Sequence, residues 1–423
     1  MSRFFLLTSL VVYFCFTGFT QNLAQWRGPD RDGAYPETGL LPEWPAGGPL
    51  LRWSASGIGT GYSSAISDGQ AVYVTGMKDT SDYLTALNLR GELLWQVPFG
   101  RAWSKAFPDT RTTPVLENGY LYVISGGGTI ACVRASDGKI QWSFNGLQRY
   151  GGAPGEWGVC ESPLIIDNKL IYTPAGQKTT QVAIDKNTGE TIWETPSLFD
   201  TSAYVSPRLI CFGEKKFIVT TINKYFFGVD ADHGNILWSF DYAALHPEAS
   251  LKVWPGAPKT NTITPLYNDG YLYITGGYNH VGAMFRLSED ASKINLVWTD
   301  TVLDCHHGGV VLLDGCIYGA NWINNGNGNW CCIDWKTGKK MWETKWFNKG
   351  SIITAGGMLY CVDEKTWNIG LVKPNPQKFE LISSFKVPLG KGPLWAHPSI
   401  FQGILYIRHG NELMAYDIRL NKP

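Results

Sequence analysis

Three features of the 423-residue sequence predict an all-β chain closed into an eight-bladed propeller of four-stranded antiparallel blades. A Trp ending an apolar hairpin arm recurs at near-constant spacing, and a Gly-bearing turn precedes almost every one of them. The last repeat is also one strand short, while a strand of the missing kind stands near the N-terminus. Glycine, at 48 of 423 residues, is about 11% against a usual 7% or so, and there are 18 Trp, as many short strands and tight turns require.

The N-terminus comes before any folding argument. Met1-Ser2-Arg3 is a short positive start, and Phe4 to Phe19 is an apolar run of 16 residues, the length of a signal-peptide core and short for a membrane span. Residues 1–24 are read as a signal peptide, which makes the chain exported, periplasmic or secreted. Ala24 with Asn22 two before it is a poor small-x-small cleavage box, and bulky Phe14 before Cys15 argues against a lipoprotein box. Residues 25–49 form an N-terminal extension and 50–423 the propeller; no later segment reaches transmembrane length.

The repeats follow. Trp95, Trp142, Trp193, Trp238, Trp298 and Trp342 are separated by 47, 51, 45, 60 and 44 residues. Before five of them stands a turn: Arg90-Gly91-Glu92, Asp137-Gly138-Lys139, Thr188-Gly189-Glu190, His233-Gly234-Asn235 and Thr337-Gly338-Lys339. The Trp298 unit alone has Asp290-Ala291-Ser292-Lys293 instead. Further upstream lies a second hairpin, such as Thr113-Pro114, Asn118-Gly119, Leu121-Tyr122-Val123, or Thr264-Pro265, Asp269-Gly270, Leu272-Tyr273-Ile274. Asn-Gly and Asp-Gly supply the positive φ of tight turns, and the alternating β-branched and aromatic arms form strands. A seventh unit runs through Leu359-Tyr360-Cys361 to Phe385, with Phe in the Trp position; the eighth ends after Met414-Ala415-Tyr416-Asp417. Leu50-Leu51-Arg52-Trp53, 42 residues before Trp95, is the expected donated strand that closes the ring and hides its edges. Stacked sandwiches would leave that exchange of strands unexplained. The Trp ladder is read as packing between blades, which diverge outward and need large side chains.

Thr188-Gly189-Glu190-Thr191-Ile192-Trp193 and Thr337-Gly338-Lys339-Lys340-Met341-Trp342, each after an apolar arm ending in Asp, resemble the PQQ-type (quinoprotein-like) propeller repeat over about residues 50–420. Trp26-Arg27-Gly28-Pro29-Asp30-Arg31-Asp32-Gly33 resembles the leader of exported bacterial members. The resemblance implies the fold but leaves function open, since the family holds both quinone-dependent alcohol dehydrogenases and non-catalytic scaffolds of outer-membrane assembly.

Composition narrows the classes. Lys+Arg and Asp+Glu are 36 each, so the basic excess of a nucleic-acid binder is absent. No Cys-x-x-Cys-His occurs, which excludes covalent c-type haem. The eight cysteines beyond Cys15 fall mostly in strand-like runs and are read as reduced core residues.

Function is sought where equivalent positions converge. The residues leading into each innermost strand crowd the channel mouth, and most are small: Ser63, Thr113, Ser162, Ser206, Thr264 and Ser351. The departures stand out: Arg111 in blade two, Glu161 behind Trp157 in three, Tyr204 in four, His306 and His307 after Asp304-Cys305 in six, Lys349 in seven, and Trp395 and His397 in eight. These predict a pocket for a small-molecule ligand or protein partner, and cations beside one Glu favour an anion over a lone divalent metal. The resemblance implies an alternative, a PQQ- and Ca²⁺-dependent alcohol or sugar dehydrogenase: Glu161 a calcium ligand, Arg111 or Lys349 on the quinone oxygens, Trp395 or Trp157 its floor, and Asp304 the base. A metal-assisted lyase or hydrolase using the histidines is a third class. Against the dehydrogenase, Cys331-Cys332 fall inside a strand, where a vicinal disulfide is disfavoured, and the covering insertions of those enzymes are lacking. The Asn324–Asn329 segment is read as a turn, and Trp330 and Trp335 as surface contacts near strand ends.

Overall fold

Alternating apolar residues between positive-φ turns fold each repeat into a four-stranded antiparallel blade, and eight blades close the ring. This computed structural model describes residues 23–246 and 260–420; the expected signal peptide lies almost wholly outside the described residues. Blade one holds Ile66–Ser67, Ala71–Lys78, Ser81–Asn88 and Leu93–Arg101. Blade six holds Val310–Leu313, Cys316–Ala320, Trp330–Asp334 and Lys340–Thr344. In blade eight the outermost strand is Leu50–Ala55, antiparallel to Glu412–Asp417 with Leu50 opposite Asp417 and Ala55 opposite Leu413.

Apolar side chains on both sheet faces fill the gaps between blades. Eight buried clusters occupy the eight gaps among the described residues, such as Tyr73, Leu84, Leu121 and Val133 between blades one and two. Trp330 and Trp335 belong to this packing, at 1% and 7% exposure, because Trp330 opens the third strand of blade six and Trp335, in the turn just after it, folds into the gap with blade five; the expectation of surface contacts is corrected.

The pairing of turn glycine with Trp has a steric cause. Five of the Trp cover a turn glycine of the following blade: a Cβ on Gly138 would stand 2.7 Å from the Trp95 ring, one on Gly234 2.7 Å from Trp193, and one on Gly338 2.5 Å from Trp298. The indole N–H of Trp95 donates to Ala135 O at 2.9 Å and that of Trp142 to Lys186 O at 3.1 Å, tying neighbouring turns together. The same contact closes the ring: Phe385 covers Gly48, just ahead of the donated strand, where a Cβ would lie 2.5 Å from the ring.

Inside, the small residues form a collar. The N–H of Ser64 donates to Thr113 Oγ1 at 2.9 Å, that of Thr113 to Ser162 Oγ at 2.9 Å, and that of Ser162 to Ser206 Oγ at 3.0 Å. The N-terminal extension crosses this collar and plugs the channel. Arg31, 1% exposed, donates to the carbonyls of Ser162 and Pro207 at 3.1 and 2.9 Å, to that of Pro163, and to Gln25 Oε1 at 2.8 Å. Arg27 reaches the opposite wall, donating to Val310 O at 2.7 Å and Ile352 O at 3.0 Å. Ala34–Tyr35 then pairs in parallel with the innermost strand of blade seven, Ile352–Ala355.

Candidate functional site

The channel is plugged but its mouth is hollow. A cavity of about 250 Å³ opens above the plug, where the chain enters the innermost strands. Its wall includes His306, His307, His397, Arg111, Lys349, Tyr204, Trp157 and Trp395, eight of the ten side chains singled out in the sequence. They meet because every blade delivers the same loop to the same face.

The other two stand elsewhere. Glu161 is buried behind the wall, accepting the Thr173 N–H at 3.1 Å and its hydroxyl at 3.4 Å. Asp304 is buried likewise, accepting the Asn279 N–H at 2.7 Å and that of His280, while its Oδ1 has no hydrogen-bond partner among the described residues. Burial pushes both carboxyls up to about 8. Both stand in the loops that lead into their innermost strands with side chains hydrogen-bonded away from the mouth, so Glu161 does not line the cavity as expected and Asp304, the base candidate, does not reach it.

The three histidines differ. Arg27 can only donate, so its 2.8 Å contact makes His397 Nδ1 an acceptor, leaving Nε2 to donate to His307 O at 2.9 Å. His397 is thereby held neutral with both nitrogens committed, and burial, then Arg27, lowers it to about 3. It positions the His307 backbone rather than offering a ligand atom. His306 and His307 stack at 4.6 Å with 16° between planes. Burial, then Lys349, lowers His306 to about 3, and burial, then His306, holds His307 well below its ordinary value. Both are neutral at pH 7.

The cations differ as well. Lys349 Nζ donates to Glu364 Oε1 and, at 3.1 Å, to Asn325 O, and the other Glu364 oxygen lies 3.4 Å from His307 Nε2. Lys349 is therefore neutralised within the wall. Arg111 is half-buried, donates to the carbonyls of Asp109 at 3.2 Å, Trp157 at 3.3 Å and Phe107, and also reaches the Cys160 thiol, with no ion pair among the described residues. Around it aromatic rings line the space: Tyr62 on Trp395 at 4.9 Å, Trp395 on His307 at 5.1 Å, Tyr278 on His306 at 4.7 Å, and Trp157 on Tyr204 at 4.8 Å.

Sequence reasoning missed Trp26, Tyr62, Tyr278, Asn325 and Glu364. Tyr62 was within reach, since it directly precedes Ser63 in the register already searched. Tyr278, Asn325 and Glu364 come from loops joining second to third strands, which vary in length and carry no repeated register. Asn324–Asn329 is a turn, bridged between Asn324 and Asn327, yet it supplies part of the wall.

The residues do not fit the PQQ and calcium site that the fold family implies. No group of three His, Cys, Asp or Glu side chains converges as metal ligands among the described residues. The wall's one carboxylate, Glu364, is taken up by Lys349. Cys331 and Cys332 point into opposite gaps, toward blades five and seven, so they cannot pair against a flat ligand.

An eight-bladed ring built on this repeat, with a plugged channel and a hollow mouth, defines a PQQ-like β-propeller. The chain belongs to the family described as outer membrane protein assembly factor BamB, whose profile matches residues 80–344. It is 28% identical over 143 residues to the assembly factor of Alkalilimnicola ehrlichii, covering 33% of each chain. It is 24% identical over 226 residues to that of Kangiella koreensis, covering 52% of this chain and 50% of the relative. The matched segments thus span only a third to a half of these relatives. Among solved structures it resembles BamB from Moraxella catarrhalis, with a TM-score of 0.60 at 14% identity over 87% of this chain and 99% of that one. It also resembles a europium-containing methanol dehydrogenase, with a TM-score of 0.65 at 12% identity over 92% and 90%. Both likenesses concern the fold.

Proposed function

We propose that this chain is an exported binding propeller, non-catalytic, whose channel-mouth cavity takes a small anion built on a ring-shaped frame. The observation that carries this reading is Arg111, the wall's cation without an ion pair among the described residues, set among aromatic faces and neutral histidines. A guanidinium fork suits a carboxylate, aromatic faces suit the body of a ring, and neutral imidazoles can donate to or accept from hydroxyls. The volume of about 250 Å³ lies just below the range of about 300–1,000 Å³ for drug-sized ligands. Membership of a family named for assembly factors supports binding over oxidation, as does the poor fit of the wall to calcium.

Calorimetry and thermal shift with galacturonate, and with galactose as its neutral congener, test this. Galacturonate should bind and raise the melting temperature of the natural protein but not of Arg111→Ala, and galactose should do neither. Equal binding of both sugars, or undiminished binding by Arg111→Ala, would refute it. Dye reduction on adding PQQ, Ca²⁺ and an alcohol would restore the dehydrogenase reading.

A further inference from the structure

Five aromatic residues adopt the left-handed backbone that bulky side chains avoid: Phe107 (φ 46°), Phe199 (56°), Tyr278 (67°), Phe347 (49°) and Trp367 (67°). All five stand on loops of the face that carries the cavity. The opposite face makes its non-glycine left-handed turns with Asn118, Asp167, Asp269, Ala291, Asp314 and Gln402, which are small or polar. Tyr278 and Trp367 pack against His306 and His409 at 4.7 and 4.8 Å. Phe107, Phe199 and Phe347 do not earn their strain by burial, being 61, 72 and 50% exposed. They top the loops after blades one, three and six, spread round the mouth rather than gathered in one sector. The same face presents exposed Lys105, Lys345, Lys365 and Lys391, without ion pairs among the described residues, against exposed Asp79 and Glu156.

We propose that this rim extends the cavity into a platform for an acidic polysaccharide, one ring seated at Arg111 and its neighbours stacked on the phenylalanine tips with their carboxylates near the lysines. The inference rests on the proposed anion site and names its occupant as a polymer. Exposed rings and unpaired cations would also suit an anionic bilayer. Phe107 favours the polymer, because it is both rim and cavity wall, meeting Trp157 edge-on at 6.2 Å, and Trp157 lies on Tyr204. An aromatic track therefore runs from the surface into the cavity, where a chain of rings can follow it and a bilayer could only cap it.

The test compares galacturonate, polygalacturonate, neutral dextran and phosphatidylglycerol vesicles on the full chain, by calorimetry and vesicle sedimentation. Polygalacturonate should bind at least about tenfold more tightly per ring than the monomer, through several contacts on one chain. The double variant Phe199→Ser, Phe347→Ser, at exposed positions, should lower polymer affinity toward the monomer's and leave monomer binding unchanged. Monomer binding without a polymer gain would overturn the inference and leave the anion site standing. Binding of neither sugar would overturn both. Equal gain with dextran, a gain untouched by the double variant, or sedimentation with vesicles in place of polymer binding would each overturn the platform.

Discussion

Replacing Gly338 by Ala isolates the contact that makes the repeat periodic. Gly338 holds φ +68°, and an added Cβ would stand 2.5 and 2.8 Å from Cε3 and Cζ3 of Trp298. Gly357 is the matched control, with φ +73° and nothing within 4 Å of the same added atom. Both variants lose about 1–2 kcal/mol from placing an L side chain in the left-handed region. Both also recover about 0.4–1 kcal/mol by restricting the unfolded chain. Only Gly338→Ala must push an indole aside, an overpacking cost of about 1–3 kcal/mol. Urea unfolding followed by Trp fluorescence should therefore place Gly338→Ala about 1–3 kcal/mol below Gly357→Ala, with similar slopes. Trp298→Phe sharpens the experiment, because Trp298 Nε1 is buried without a hydrogen-bond partner among the described residues, so its loss forfeits no bond there. In the Trp298→Phe background the Gly338→Ala penalty should shrink toward the control's, giving a favourable coupling term. Equal losses for the two glycine variants, or no coupling, would show that the glycine serves the turn alone.

Two further outcomes probe the interior. Arg31→Met removes the donor shared by the carbonyls of Ser162, Pro163 and Pro207, each left buried at a cost of about 1–3 kcal/mol, so the ring should lose about 3 kcal/mol or more; an unchanged thermal midpoint would show that the plug does not brace the blades. Asp304 is held up to about 8 by burial, so its folded state keeps a proton that the unfolded chain releases near pH 4. That stability is full below the unfolded value and is lost as pH rises through about 8, so Asp304→Asn should flatten the decline between about pH 4 and 8. Parallel stability curves for the natural protein and the variant would refute the shift.

The fold was legible because its causes are local and repeated. Asn-Gly and Asp-Gly turns, a Trp at seven of the eight outer strands and a glycine beneath five of them recur in the chain as they do around the ring, and the missing strand at one end matched Leu50–Ala55 at the other. Register also pointed to Arg111, His306, His307, Lys349 and Trp395, because equivalent loops of a closed ring must meet at its mouth. Register says where a loop goes and not which way each side chain turns. Glu161 and His397 stand one place apart in that register, before Ser162-Pro163 and in His397-Pro398, yet one is withdrawn behind the wall and the other has both nitrogens taken by Arg27 and His307. Glu364, Tyr278 and Asn325 come from loops with no common pattern, and the two arginines that plug the channel lie in a segment outside the repeat. The sequence by itself determined the number of blades, their closure and the face that carries the site. Only the tertiary structure decided which charges in that site are neutralised, because ion pairs such as Lys349 with Glu364 depend on side chains converging from separate loops across space.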